Sequence, residues 1–326
     1  MSSLTSIYRT EYEAKVRVLA SQVWGEIGWS EIDAWLNNFD GQVFDTENEQ
    51  LYALLCLSRY MYFSKRLIRE MLKSLYRDHF ESPLLQRIRR NMGGTTDSKL
   101  LRKMYAKELE ATRFVGVGNP AESGAHLLYY FRQVNYLPKD LFIDLSGAFT
   151  PSQNGTTGEM QLLARDGRIT RYVFFDDLVG SATQASSYLS QNLKKIRNGN
   201  KDLDLRFMSL FATTNGLDKM NEQTLFGGNA LCLFELDDTF KAFNTLSRYF
   251  LNSPAWFEID KLLEMAKKYG EKLNPHWPLG YKDGQLMLGF THNTPDNSLP
   301  IFWDEGQLVP WAPLFVRYDK KYGGKI

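Results

Sequence analysis

The chain has 326 residues, a formal net charge of +1, 43% hydrophobic residues and 14% aromatics. One large domain or two modest ones can form a substantial core, and no global field is present to recruit nucleic acid. Two cysteines in apolar runs (Cys56 and Cys232) and four scattered histidines exclude a disulfide framework and zinc spacing. There is no secretory leader and no apolar run of membrane-spanning length, so a cytoplasmic protein is expected.

Residues 1–112 read as an all-helical N-terminal region. Tyr12, Val16, Leu19, Val23 and Trp24 fall near helical spacing, and Ser30 opens a second short helix over residues 32–36. Thr46 with Glu49 resembles a capping box at the start of the longest helix, which is expected to run to Leu75. It is apolar on more than one face over its first half, as in the interior of a bundle. Between Lys65 and Lys107 there are twelve Lys/Arg and four Asp/Glu. Arg87, Arg89, Arg90, Lys99, Arg102 and Lys103 flank a Gly-Gly turn at 93–94. The cluster fits a winged-helix-like nucleic-acid face, or a solvated helix face.

From residue 113 to 326 strands and helices alternate, which predicts an α/β domain with a mostly parallel sheet and helices on both faces. Residues 114–117 read as a strand, 118–124 as a loop holding Glu122, Ser123 and Gly124, and 125–133 as a helix. A second strand over 141–145 places Asp144 near its end. Residues 146–158 read as a long polar loop, a length that usually signals function.

The chain is organised around residues 171–189. An apolar run, Tyr172 to Phe175, ends in Asp176 and Asp177; Gly180, Ser181, Ala182, Thr183 and Gln184 follow, and then an amphipathic helix begins. A small-residue turn into a helix N-terminus presents backbone N–H groups to an anion. Carboxylates at a strand's carboxyl end suit sugar hydroxyls or a sugar-bound metal ion. A molecule with a phosphate beside a ribose diol fits both.

Further strands are expected over 205–213 and 230–235, and a helix from Ser253 to a stop at Gly270. Residues 277–315 then hold five prolines and three tryptophans around His292, Asn293 and a Thr-Pro-Asp-Asn run. Aromatic platforms beside Asn, His and Asp suit stacking and hydrogen bonding of a base. The other reading is a Pro-rich wrap whose aromatics plug the core.

Residues 172–184 resemble the phosphoribosyl-diphosphate (PRPP) signature of type I phosphoribosyltransferases: four apolar residues, two acids, two apolar residues and a phosphate loop. Ala182 stands where glycine is usual and Gln184 where Thr or Ser is usual. With the Glu-Ser-Gly loop and the His292–Trp303 run, the chain from about residue 30 to 318 resembles the phosphoribosyltransferase-like (PRTase-CE type) proteins of bacterial conflict and antiphage systems. That resemblance implies a type I phosphoribosyltransferase-like fold and a toxic effector acting at the ribosyl C1 of PRPP or a phosphoribosyl nucleotide. Asp176 and Asp177 would hold the ribose diol and Mg²⁺, and residues 180–184 the 5′-phosphate. The Glu122–Gly124 loop would face the leaving group, and His292 and Asn293 the acceptor. The loop at 146–158 would close over the diphosphate. It further implies a retron setting, with a reverse transcriptase and its single-stranded DNA as partners. The absence of a basic residue from the two loops favours an alternative, a nucleotide sensor without turnover. A nucleic-acid-binding component is the third reading.

Overall fold

The computed structural model describes residues 2–25, 27–118, 123–181, 183–306, 309–315 and 317–318. Its contacts form two compact units, Met1–Ile68 with Asp237–Ile326, and Arg69–Leu236.

The first unit opens with α1 (Ser2–Val18), extended by a π-helical turn to Trp24 and ended by Gly25 in the left-handed region (φ 74°). Next come α2 (Trp29–Leu36) and α3 (Thr46–Leu57). Thr46 and Glu49 do not form a capping box. Asp45 caps α3, accepting from Asn48 N at 3.0 Å. Glu49 is fully buried and accepts from Gly41 N at 2.8 Å, Val43 N at 2.7 Å and the Tyr269 hydroxyl. A buried carboxylate is tolerated only when its lone pairs are filled, as here. Glu49→Ala is expected to leave these donors unsatisfied and lower stability by about 3 kcal/mol, read as a lower urea midpoint at unchanged slope.

The long helix expected over 46–75 is broken. After Leu57 the chain forms β1 (Met61–Phe63), which pairs in parallel with residues 288–290, and only then α4 (Lys65–Tyr76). Tyr60, at the break, stacks on Phe315 with centroids 4.1 Å apart. A tertiary strand pairing thus overrides a continuous helical pattern.

The unit Arg69–Leu236 begins within α4 and continues through α5 (Ser82–Asn91) and α6 (Ser98–Glu110). A sheet follows: β2 (Thr112–Gly116), β5 (Arg171–Val179), β6 (Asp204–Thr213) and β7 (Ala230–Leu236), hydrogen-bonded in that order and all parallel. Between β2 and β5 lie α7 (Ser123–Val134), a short α8 (Leu145–Ala148) and an antiparallel hairpin of β3 (Phe149–Gln153) and β4 (Met160–Ala164). α9 (Thr183–Gly199) and α10 (Thr214–Met220) link the later strands.

Side chains alternate across the sheet. On one face Phe114 and Phe175 meet Phe131 of α7, and Phe114 also meets Phe80 before α5. On the other, Tyr172, Phe174 and Phe207 join Leu189, Leu193 and Ile196 of α9. The helices on both faces match the expected architecture. The first face also shows why α4 and α5 belong with the sheet and not with the helices before them.

An ion network secures the strands' amino ends. Arg171, 4% exposed, donates to Asp204 Oδ2 at 2.8 Å, Glu108 Oε2 at 2.9 Å and Thr112 Oγ1 at 3.1 Å. Arg206 donates to Asp204 Oδ1 at 2.8 Å, and Arg87 lies 3.5 Å from Glu108. Arg87, grouped by sequence with a basic face, is therefore engaged in structure.

Two expectations between β2 and β5 are corrected. The strand over 141–145 is reduced to one parallel bridge, Phe114 with Phe142, and Asp144 caps α8. The long loop over 146–158 is largely α8 and the hairpin; Asn154 Oδ1 accepts from Thr156 N and Thr157 N in its turn.

The chain returns to the first unit with α11 (Ile259–Leu273) and β8 (Leu288–Phe290). α11 starts six residues after Ser253 and runs through Gly270, whose missing side chain admits the backbone oxygen of Pro278. The tryptophans of this segment mostly fill the core. Trp303 and Trp311 are buried, Trp311 meeting Phe39 and Tyr269, while Trp277 is exposed. The core-plugging reading therefore describes these aromatics better than a stacking platform. Both cysteines are free, and burial pushes the Cys232 thiol up to about 11, which leaves it un-ionised at neutral pH.

Candidate functional site

The order of the parallel sheet marks where a ligand would sit. After β2 the chain runs outward, so that Phe142 bridges the outer side of β2, and it then returns to form β5 on the inner side. Including that bridge, the spatial order is 142, β2, β5, β6, β7. Such a reversal opens a crevice at the strands' carboxyl ends, here between β2 and β5.

Asp176 and Asp177 lie in β5 next to Phe175, the residue in register with Gly116, the last of β2. Asp176 is half-buried and accepts from Asp177 N at 2.9 Å; Asp177 is buried and accepts from Leu178 N at 2.8 Å. Gly180 and Ser181 follow, and α9 begins at Thr183. At 17 residues, α9 is long enough for its N-terminal N–H groups and dipole to favour an anion.

Two glycines fix this edge by close packing. A side chain at Gly124 would come within 2.8 Å of Phe175 O and 2.9 Å of Val117 O, so α7 can start against the ends of both strands only with glycine there. A side chain at Gly216 would collide with the backbone oxygens of Gly180 and Val179. Thr213, at the end of β6, donates its hydroxyl to Gly180 O at 2.7 Å and accepts from Gly216 N at 3.0 Å. Thr213 and Gly216 thus hold the turn after β5. In sequence Thr213 is recognisable only as a strand-end threonine, and Gly216 as one of many glycines.

The remaining expected site residues are distributed as follows. Glu122 and Ala182 lie outside the described residues; Ser123, Thr183 and Gln184 stand in the first turns of α7 and α9. Asp144 stands one strand position outward from β2, where its carboxylate accepts from Gly147 N and the Ser146 hydroxyl. Those bonds, the backbone one first, hold its pKa below the usual carboxylate range. His292 and Asn293 belong to the other unit. There the His292 ring stacks on Phe290 at 5.3 Å, and Asn293 Oδ1 accepts from Tyr318 N. β5 therefore brings together Asp176, Asp177, Gly180 and Ser181, with Gly124 packed against them.

No group of three or more His, Cys, Asp or Glu side chains able to hold a metal occurs among the described residues. Two strand-end carboxylates fit a hard divalent ion that takes its other oxygens from a ligand and water. No helix of the described residues is long and apolar enough to cross a membrane.

A family model described as PRTase-CE matches residues 32–317. Among curated proteins there is no match. Similar solved structures include a xanthine-guanine-hypoxanthine phosphoribosyltransferase of Helicobacter pylori, with 12% identity and a TM-score of 0.28 over 55% of this chain and 86% of that one. An orotate phosphoribosyltransferase of Aeropyrum pernix has 13% identity and a TM-score of 0.23 over 41% and 73%. A hypothetical protein of Neisseria gonorrhoeae with bound ppGpp has 12% identity and a TM-score of 0.29 over 55% and 85%.

Proposed function

Because this chain belongs to the PRTase-CE family, we propose that the crevice between β2 and β5 binds PRPP or a phosphoribosyl nucleotide and acts at its ribosyl C1. The observation that carries this reading is the ending of β5. Two carboxylates, a small-residue turn held by Thr213 and Gly216, and the start of α9 follow one another at the switch point of a parallel sheet. Asp176 and Asp177 would accept hydrogen bonds from the ribose diol, and the turn and the helix start would hold the 5′-phosphate. Positive charge develops on the ribosyl ring as the bond from C1 to the leaving group breaks, and fixed carboxylates stabilise it. Mg²⁺, held by Asp176 and Asp177 together with ligand oxygens, would neutralise the departing diphosphate. Glu122 and Ser123 are proposed for the leaving-group side.

In this reading the protein is a toxic effector of an antiphage, retron-type system, restrained by a reverse transcriptase and its single-stranded DNA. Exposed Arg89, Arg90, Lys99, Arg102 and Lys103 have no ion-pair partner among the described residues and would form the nucleic-acid contact. Single-stranded DNA binding that weakens steeply with salt, and is lost on neutralising Arg89 and Arg90, is the expected result. Salt-independent binding would remove this part of the reading.

A sensor without turnover is favoured by one feature of the sequence: neither residues 118–124 nor residues 146–158 include a lysine or arginine. Incubation with PRPP and Mg²⁺, followed by mass analysis, separates the two readings. Loss of diphosphate marks an enzyme, recovery of bound intact PRPP marks a sensor, and absence of binding contradicts both. Gly216→Ala is expected to displace the turn after β5 and weaken PRPP binding about tenfold, measured by calorimetry with the thermal midpoint as a control for folding.

A further inference from the structure

A cavity of about 760 Å³ opens beside the outer edge of β2, within the unit Arg69–Leu236. Its size lies in the range of small-molecule sites, about 300–1,000 Å³. Leu128 and Tyr129 of α7, Phe142 and Ile143 give it an apolar wall. Arg132 and Lys139 enter it as cations, and neither has an ion-pair partner among the described residues. Arg132 lies over the Tyr129 ring at 5.8 Å, a geometry that keeps the guanidinium beside an aromatic face. Asp144 completes the lining; its Oδ1 is oriented by Gly147 N and the Ser146 hydroxyl.

Two cations with no ion-pair partner among the described residues, one ordered carboxylate and an aromatic wall are complementary to a molecule with a phosphate, a hydroxyl-bearing sugar and a planar base. We propose that this cavity, which also reaches Gly116 and Gly118 at the end of β2 but no residue of β5, is a second ligand site, for a nucleoside 5′-monophosphate, lined by α7 and residues 139–146 on the side of β2 away from Asp176 and Asp177. Arg132 and Lys139 take the phosphate, Asp144 accepts from a ribose hydroxyl, and the base lies along Tyr129 and Phe142. A cationic pair suits phosphate because charge-assisted hydrogen bonds are about twice as strong as neutral ones. The site does not depend on the reading of the β5 edge, and it gives Asp144 a role that its position beyond β2 allows.

The four ribonucleoside 5′-monophosphates, each titrated calorimetrically into the full chain, test this proposal, with the parent nucleosides as controls. At least one nucleotide should bind and its nucleoside should bind more weakly. Arg132→Gln and Lys139→Gln should each weaken binding about tenfold, and Asp144→Asn several-fold. Because the Asp176–Asp177 edge is itself proposed to take a phosphoribosyl nucleotide, the same titrations into the Asp176→Asn, Asp177→Asn variant isolate the cavity: one equivalent should still bind, and adding Arg132→Gln and Lys139→Gln together should abolish it. Arg132→Lys, which keeps the charge, should retain most of the affinity. No binding by any of the four would overturn the proposal, as would binding that the Asp176/Asp177 variant loses and the Arg132 and Lys139 variants keep. Because all these side chains lie at the cavity surface, the thermal midpoint should stay unchanged, and a loss of affinity with unchanged folding reports the site itself.

Discussion

Exchange of Asp176 and Asp177 together for asparagine is expected to lower the affinity for Mg²⁺-PRPP by at least about a hundredfold and to abolish any turnover. Each carboxylate is assigned a charge-assisted hydrogen bond to the ribose diol, worth about 1.5–3 kcal/mol, and two such losses span two to four decades in affinity. The fold should persist. Asparagine keeps an Oδ1 that can accept from Asp177 N and Leu178 N as the carboxylates do. The thermal midpoint should therefore move by no more than about 2 °C, against about 2–4 °C per kcal/mol for a unit of this size. A variant that folds and still binds as tightly as the wild type would show that the acids of β5 do not face the ligand.

The second large effect concerns the opposite end of the same strand. Arg171→Ala removes a buried guanidinium and leaves Asp204, Glu108 and the Thr112 hydroxyl without it. Breaking a buried pair costs about 3–5 kcal/mol; the acids are one-quarter to two-fifths exposed, so about 3 kcal/mol is expected, a fall of roughly 6–12 °C in thermal midpoint. Burial alone would raise the pKa of Asp204, but hydrogen bonds from Arg206 and Arg171 outweigh it and leave it lowered. A carboxylate with a depressed folded pKa contributes stability above its unfolded pKa and loses it as pH falls through the folded value. The difference between wild type and Arg171→Ala should be constant from neutral pH to about pH 5 and shrink below about pH 4. Arg89→Ala, which removes an exposed arginine outside this network, should change stability by no more than about 0.5 kcal/mol. Equal effects of the two substitutions would contradict the structural role given to Arg171.

The central strand and its acidic end were legible in the sequence because the signal there is local. An apolar run, two acids, a small-residue turn and an amphipathic helix are read from consecutive residues, and β5 and α9 follow that order. Elements whose identity depends on distant partners were not legible. Residues 61–63 leave a helical pattern because Leu288 to Phe290 supply strand partners more than two hundred residues away. Residues 146–158 carry the turn chemistry of a loop, yet Phe149–Gln153 pair with Met160–Ala164 as a hairpin, with Phe149 against Tyr172 at 4.6 Å. Glu49 looks like half of a capping box, while its actual partners, Tyr269 and the Gly41–Phe44 backbone, come together only in the folded unit. In the site itself Asp176 and Asp177 could be found from residue type. The glycine contacts at 124 and 216, and the cations at 132 and 139 beside Asp144, need the sheet order before they carry meaning.

The most direct test of the account is calorimetric titration of PRPP with Mg²⁺ into the full chain. A saturable heat with one equivalent per chain, retained when Arg132 and Lys139 are changed to glutamine and lost when Asp176 and Asp177 are changed to asparagine, is the predicted result. No heat at millimolar ligand with a folded protein, or binding indifferent to the two aspartates, would contradict it.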